Sequence, residues 1–340
     1  MMGNLSYILE LTKVCNNNCK YCYNVWKADT HYPCEELSSS QWQTIIDKII
    51  LETKPQVVGL SGGEPLTRKD FFEILAHLKK HHLFVNLITN GTLLNRELIK
   101  KCHAGGVDMF ELPLLSSSPK IHDELTRNPG AWQKVIENIS EIKKQGASLA
   151  VVMVLTKQNI FDAKATAEIA IALGADSILC NRFNIGGMGI RYKNELFPSL
   201  EELDIAYSEL NNLAKEYEIN INSGIPLPPC ILDPKKYEKM IFSQCQIGGP
   251  NPYYAIDPAG NLRPCNHSSL ILGNLLESSI KDLLTSEKFK QYSASSPQKC
   301  QGCREQKNQC RGGCMASAEV YYKDCSKPDP FVFENFKHRL

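Results

Sequence analysis

The stretch Tyr7-Ile8-Leu9-Glu10-Leu11-Thr12-Lys13-Val14-Cys15-Asn16-Asn17-Asn18-Cys19-Lys20-Tyr21-Cys22 decides how the rest of the chain is read. Tyr7 to Leu11 reads as a strand, and it runs straight into three cysteines spaced Cys-x3-Cys-x2-Cys. Moving outward, strand-like and helix-like segments alternate from residue 5 to about residue 222. After Ser38-Ser39-Ser40, the residues Trp42, Ile45, Ile46, Ile49 and Ile50 recur at helical spacing. Strands are predicted at Gln56–Leu60, Leu83–Thr89, Asp108–Leu115, Ser148–Leu155 and Ser177–Phe183, with helices near 69–81, 96–104, 131–145 and 163–173. Strands joined by crossover helices must run parallel. The predicted fold class is therefore α/β: a partial, six-stranded (β/α)6 TIM-like barrel over 5–222, with its chemistry where the strands end.

Near residue 223 the composition changes. The proline-rich Ser223 to Pro234 opens a predicted linker over 223–244. A small cysteine-rich domain follows over 245–328, and 329–340 reads as a C-terminal tail. Tyr253 to Ile256 and Asn261 to Arg263 form a predicted hairpin around Asp257-Pro258-Ala259-Gly260. With so few apolar residues, the cysteine-rich segment needs metal cross-links to fold.

The 340 residues carry 38 basic and 37 acidic side chains, a balance that argues against nucleic acid as a partner. No apolar run approaches the roughly 20 residues needed to span a bilayer. The N-terminus lacks a signal peptide, so the expected location is the cytoplasm. In that reducing compartment the 14 cysteines read as metal or cluster ligands rather than disulfides.

Three thiolates in one short loop can hold three irons of a four-iron cubane and leave the fourth iron open. A zinc site is the alternative; it requires a fourth ligand, and His31 and Cys34 are nearest. The second motif, Gly62-Gly63-Glu64-Pro65, ends the second strand. Its glycines allow close backbone approach, and Glu64 can accept from a cationic amine. By itself the motif would be an ordinary turn.

Together, with Tyr21 preceding the third cysteine, these motifs resemble the radical S-adenosylmethionine (SAM) superfamily. The resemblance implies a [4Fe-4S] cluster on Cys15, Cys19 and Cys22, with SAM chelated at its open iron. One electron then cleaves SAM to a 5′-deoxyadenosyl radical that abstracts hydrogen from a substrate. It also implies that Gly62, Gly63, Glu64 and Pro65 contact the SAM amino group. By position, Asn90 of Thr89-Asn90-Gly91 could meet the cofactor or simply form a turn. Ser116 would reach the ribose and Arg127 would pair the carboxylate, against readings of a capping serine and a solvated arginine. Asn181 and Arg182 end the sixth strand and are candidates to face the cavity.

The C-terminal cysteines resemble a SPASM domain, with six residues instead of the usual five between Cys303 and Cys310. The resemblance implies two further [4Fe-4S] clusters. Cys300, Cys303, Cys310 and Cys325 would hold the outer one; Cys245, Cys265 and Cys314 would hold the inner one. Cys230 would complete the inner set, or would be a free thiol that leaves an open iron. Cys102 and Cys180 fit core positions, and Cys34 stays ambiguous.

The expected function is maturation of a ribosomally made peptide or small protein through a carbon–sulfur or carbon–carbon cross-link. An external electron donor such as flavodoxin or ferredoxin would serve it. The first strand begins close to Met1, so a separate leader-peptide-binding protein is expected, or recognition by the C-terminal domain. Tailoring of a tetrapyrrole or quinone cofactor precursor is the alternative. Sulfatase maturation is disfavoured, because that branch has an aspartate where Asn266 follows Cys265. A non-catalytic iron–sulfur electron-transfer protein would leave the N-terminal motifs unexplained.

Overall fold

The computed structural model of the chain describes residues 5–29, 31–33, 35–305 and 310–332. Strands β1 (Ser6–Glu10), β2 (Val57–Ser61), β3 (Phe84–Ile88), β4 (Met109–Pro113), β5 (Ser148–Leu155) and β6 (Ser177–Arg182) pair in parallel, each with the next. Between them run α1 (Ser39–Thr53), α2 (Phe71–Lys79), α3 (Arg96–Ala104), α4 (Pro119–Thr126), α5 (Ala131–Lys144) and α6 (Ala163–Ala172). α1 shows why the helices start where they do. Ser38 accepts from the Gln41 amide while the Gln41 side chain accepts from the Ser38 amide, a capping box. The α1 residues Trp42, Ile45, Ile46 and Ile49 then join Leu9, Leu60, Leu87, Phe110 and Val151 of the strands in one buried layer. Burial of that kind is what holds helices onto a parallel sheet. Cys102 and Cys180 lie fully buried in it.

After α7 (Lys193–Leu196) and α8 (Leu200–Glu216), strands β7 (Asn220–Ser223) and β8 (Met240–Phe242) extend the parallel pairing beyond the six strands expected. The stretch 223–244 therefore contributes an edge strand rather than a bare connection. At the other side β9 (Tyr253–Ile256) pairs in parallel with β1, and β10 (Asn261–Arg263) and β11 (Gly273–Asn274) follow antiparallel. Helices α9 (Ile280–Thr285), α10 (Glu287–Ala294) and α11 (Met315–Tyr322) complete the chain. The single sheet has β11 and β8 as its two edges, so the barrel is open. No helix among the described residues is long and apolar enough to cross a membrane.

Two buried ion pairs tie the C-terminal segments to the barrel. Glu10 at the end of β1 meets Arg263 of β10, and the Arg263 guanidinium also donates to Ser268 O at 2.8 Å and lies over the Trp26 ring. Burial pushes Glu10 up to about 7, with Arg263 pulling the other way. The second pair joins Arg182 of β6 to Asp329, whose carboxylate also accepts from the Cys314 amide at 2.8 Å. Asp329 and Phe331 are 1% exposed, so the first residues of the expected tail are an anchor. Removing one partner of a buried pair leaves an uncompensated charge. Asp329→Ala should therefore cost about 3–5 kcal/mol in denaturant unfolding, and a loss under about 1 kcal/mol would show that the pair carries no such role.

Candidate active site

Backbone contact holds the cysteine loop after β1. Gly63 N donates to Thr12 O at 2.7 Å and Glu64 N donates to Val14 O at 2.8 Å, zipping the end of β2 to the chain entering Cys15. The approach leaves no room for side chains. A Cβ on Gly62, which has φ +127°, would fall 2.6 Å from Thr12 O, and one on Gly63 would overlap the Val14 carbonyl. Asn24 Nδ2 donates to Gly62 O at 2.8 Å. From below, Gly187 packs so closely that a Cβ would lie 2.6 Å from Cys22 O, and Gly189 N donates to that same oxygen. The Gly-rich turn after β6 thus supports the cysteine loop. At the end of β3, Asn90 Nδ2 reaches Asn16 Oδ1 at 2.8 Å and Cys15 Sγ at 3.8 Å.

Burial pushes the Cys19 thiol up to about 12, with Cys22 and Cys15 adding to the effect, and pushes Cys22 up to about 11. Thiols in this state ionise together only if a cation compensates them. A single zinc ion would draw thiolate sulfurs to about 3.8 Å from one another, given Zn–S bonds of about 2.3 Å. Among the described residues, the one group of three His, Cys, Asp or Glu ligand atoms within 4.8 Å of one another is Asp47 of α1, His77 of α2 and His81 in the turn after it. Cys15, Cys19 and Cys22 do not all lie within 4.8 Å of one another. Cys34 lies outside the described residues.

One cavity of about 520 Å³ connects this loop to the C-terminal cysteines. Cys15, Cys19 and Cys22 line it together with Cys245, Cys265 and Cys314. Burial raises the thiols of the second trio too, with Cys314 and Cys245 adding to it at Cys265 and Asp329 then Cys245 adding to it at Cys314, and Asn184 Nδ2 donates to Cys314 Sγ at 3.3 Å. Cys230 belongs elsewhere. After a turn in which Ile231 N donates to Pro228 O at 3.0 Å, its thiol is pushed up to about 11 by burial and then by Cys310, Cys300 and Cys303. The turn sets Cys230 beside the outer group instead of the inner trio. The half-buried Cys325 packs against the hydrophobic core.

The profile of the Radical SAM superfamily matches residues 9–170, and that of the SPASM iron–sulfur cluster-binding domain matches residues 245–311. The chain belongs to the radical SAM superfamily. This radical SAM chain is an enzyme that binds iron–sulfur clusters and SAM. It is 26% identical over 334 residues to the PqqA peptide cyclase of Bradyrhizobium diazoefficiens, covering 96% of this chain and 85% of that protein. The PqqA peptide cyclase of Methylocella silvestris is 27% identical over 339 residues, covering 97% of this chain and 87% of its own. Among solved structures, Streptococcus suis SuiB bound to precursor peptide SuiA has the same fold, with TM-score 0.77, 16% identity, and coverage of 97% of this chain and 75% of that one. Native anSMEcpe with bound AdoMet superposes with TM-score 0.70 at 18% identity, covering 98% and 95%.

The other expected SAM-site residues separate into two groups. Gly62, Gly63 and Asn90 line the cavity. Glu64 faces the protein: its carboxylate accepts from Thr89 Oγ1 and Asn90 N at 2.8 Å and from Leu66 N at 3.1 Å. Burial raises it to about 7 against those donors, and with them filling its oxygens it fastens β2 to β3. Pro65 starts the short turn that follows. Ser116 is buried and bonded to Asp162, and Arg127 is an exposed helix cap whose Nη1 donates to Tyr192 at 3.0 Å. Neither lines the cavity. Asn181 does, whereas Arg182 is committed to Asp329.

Asn86 and Glu111 line the cavity too, and sequence reading passed over them. Their signal was a polar residue at an inward position of an otherwise apolar strand. Tyr23 and His267, stacked with centroids 4.1 Å apart, also line it. Burial, then Arg263 and Arg182, hold His267 down to about 3, so it is neutral.

Gly63→Ala should abolish formation of 5′-deoxyadenosine, because the new methyl pushes the Val14 carbonyl and the cysteine loop apart. Iron and sulfide analysis should show that the iron–sulfur content of the SPASM domain persists. Replacing Cys15, Cys19 and Cys22 together by Ala should give the same pair of results, and cleavage that survives it would overturn the assignment of the loop.

Proposed function

We propose that this radical SAM enzyme modifies a peptide, joining two of its side chains through a carbon–sulfur or carbon–carbon bond. The observation that carries the reading is the shared cavity, onto which Cys15, Cys19, Cys22 and Cys245, Cys265, Cys314 all open. A substrate held there lies between two redox centres. The relatives named PqqA peptide cyclase and the SuiB complex with a precursor peptide support a peptide as that substrate. In this reading there are three [4Fe-4S] clusters. Cys15, Cys19 and Cys22 would hold the one that supplies one-electron cleavage of SAM, and Cys245, Cys265 and Cys314 would hold the inner auxiliary cluster. Cys300, Cys303 and Cys310 would hold the outer one, with Cys230 or Cys325 as fourth ligand.

The chain's own groups set the surroundings of the inner trio. Tyr253 Oη donates to Asn266 Oδ1 at 3.0 Å and Asn266 Nδ2 donates to Tyr23 Oη at 2.9 Å, so Asn266 holds two rings against the cavity instead of serving as a base. Closing a cross-link removes two hydrogens from the peptide: one atom goes to the 5′-deoxyadenosyl radical, and one proton and one electron leave separately. Cys245, Cys265 and Cys314 would hold an auxiliary cluster able to accept that electron, and a flavodoxin- or ferredoxin-like donor would supply the electron needed at the cluster held by Cys15, Cys19 and Cys22. A separate leader-peptide-binding protein completes the expected set of partners.

The test is anaerobic reconstitution with SAM, a reductant and the small peptides encoded beside the gene. A peptide should lose the mass of two hydrogens in step with 5′-deoxyadenosine formation. Deoxyadenosine produced with no mass change in any of those peptides counts against a peptide substrate.

A further inference from the structure

Of the strand residues that line the cavity most are apolar, hydroxyl-bearing or glycine, and the exceptions are Asn86, Glu111 and Asn181. On β3, Val85 and Leu87 are fully buried on the helix-facing side, which turns Asn86 and Ile88 to the cavity. On β4, Phe110 and Leu112 face outward in the same way, turning Glu111 and Pro113 inward. Asn86 Nδ2 donates to Glu111 Oε1. That is the one hydrogen bond either side chain makes, and no ion pair reaches Glu111 among the described residues. Asn86 is 7% exposed, and its Oδ1 has no donor. Glu111 is the one carboxylate among the residues lining the cavity.

A buried carbonyl without a donor and a carboxylate with a single donor are both unfavourable. Together they present two acceptors to the same space; burial raises the Glu111 carboxyl, and a cation beside it would favour its ionised form. A ligand that brings several N–H donors and a positive charge satisfies both at once. The ladder places the pair well for substrate. Glu111 lies opposite Ile88, one residue before Thr89 and Asn90, which hold the glycine turn over the cysteine loop. We propose that Asn86 and Glu111 form a subsite that receives a cationic side chain of the substrate, a lysine ammonium or an arginine guanidinium, and so selects which part of it enters the barrel. The proposal rests on the reading of the cavity as a peptide site and narrows it to peptides with a basic residue near the modified position.

The test uses the reconstituted holoenzyme with SAM bound and three blocked amino acids: N-acetyl-lysine methylamide, N-acetyl-leucine methylamide and N-acetyl-glutamate methylamide. Affinities are read by ligand-observed nuclear magnetic resonance. The lysine derivative should bind at least about tenfold tighter than the other two, as a charge-assisted contact in a buried site allows. Glu111→Gln keeps the size and an acceptor for Asn86, and should reduce that preference to about twofold, with melting temperature, iron content and SAM affinity maintained. Equal binding of the three probes by the unaltered enzyme overturns the proposal whatever the variant does. That is also the result expected if Glu111 is protonated and donates to Asn86. A lysine preference that survives Glu111→Gln overturns it as well. So does a variant that loses SAM affinity instead, since Glu111 would then serve the sulfonium. A lysine preference without any modified peptide would count against the peptide reading and leave the subsite standing.

Discussion

Thiols crowded together in a protein interior repel one another's charge, and this constraint organises the molecule. In both trios burial raises the thiols, and at Cys19 and Cys265 the neighbouring cysteines raise them further. Such groups hold their ionised form only around a multivalent cation. The chain must therefore bring cysteines close with little help from side-chain packing, and it does so by backbone contact. Gly62 and Gly63 press on the strand exit from one side and Gly187 presses on Cys22 from the other. Any side chain at these points would separate the thiols that the metal must bridge.

The relation between the two trios rests on strand pairing. β9 joins the sheet beside β1, and β10 turns back so that Arg263 meets Glu10. Cys15 follows Glu10 by five residues and Cys265 follows Arg263 by two. The buried ion pair thus lies at the root of both cysteine segments. Asp329 does the equivalent work for Cys314, accepting from its amide while holding Arg182 at the end of β6. A buried pair of this type adds little net stability relative to apolar packing, and its use here is positional.

The parts of this arrangement that local pattern controls are legible in the sequence. The six parallel strands follow from alternation with amphipathic helices, and the hairpin at 253–263 from its turn residues. The strands β7 and β8 were missed because they are three or four residues long and sit among prolines, where no periodicity can develop. Glu64 was read as a ligand group because motif and strand edge were right. Its direction depends on Thr89 and Asn90, distant in sequence, and three protein donors turn it inward. Cys230 and Asp329 escaped for a similar reason. Each is defined by the chain it meets, not by its neighbours in sequence.

Barrel interiors show the same division between pattern and placement. The outward residues of β3 and β4 are apolar because helices cover them, a demand of packing that any sequence of this fold must meet. The inward residues answer to no such demand, since an open barrel leaves a cavity there. A carboxylate and an amide at such positions are therefore poor choices for stability: Asn86 Oδ1 lacks a donor and Glu111 lacks a counter-ion among the described residues. Polar groups that a fold leaves unsatisfied tend to be those that a ligand satisfies. On the proposed reading the thiol trios serve radical generation and electron uptake, and the Asn86–Glu111 wall is what would distinguish one substrate from another.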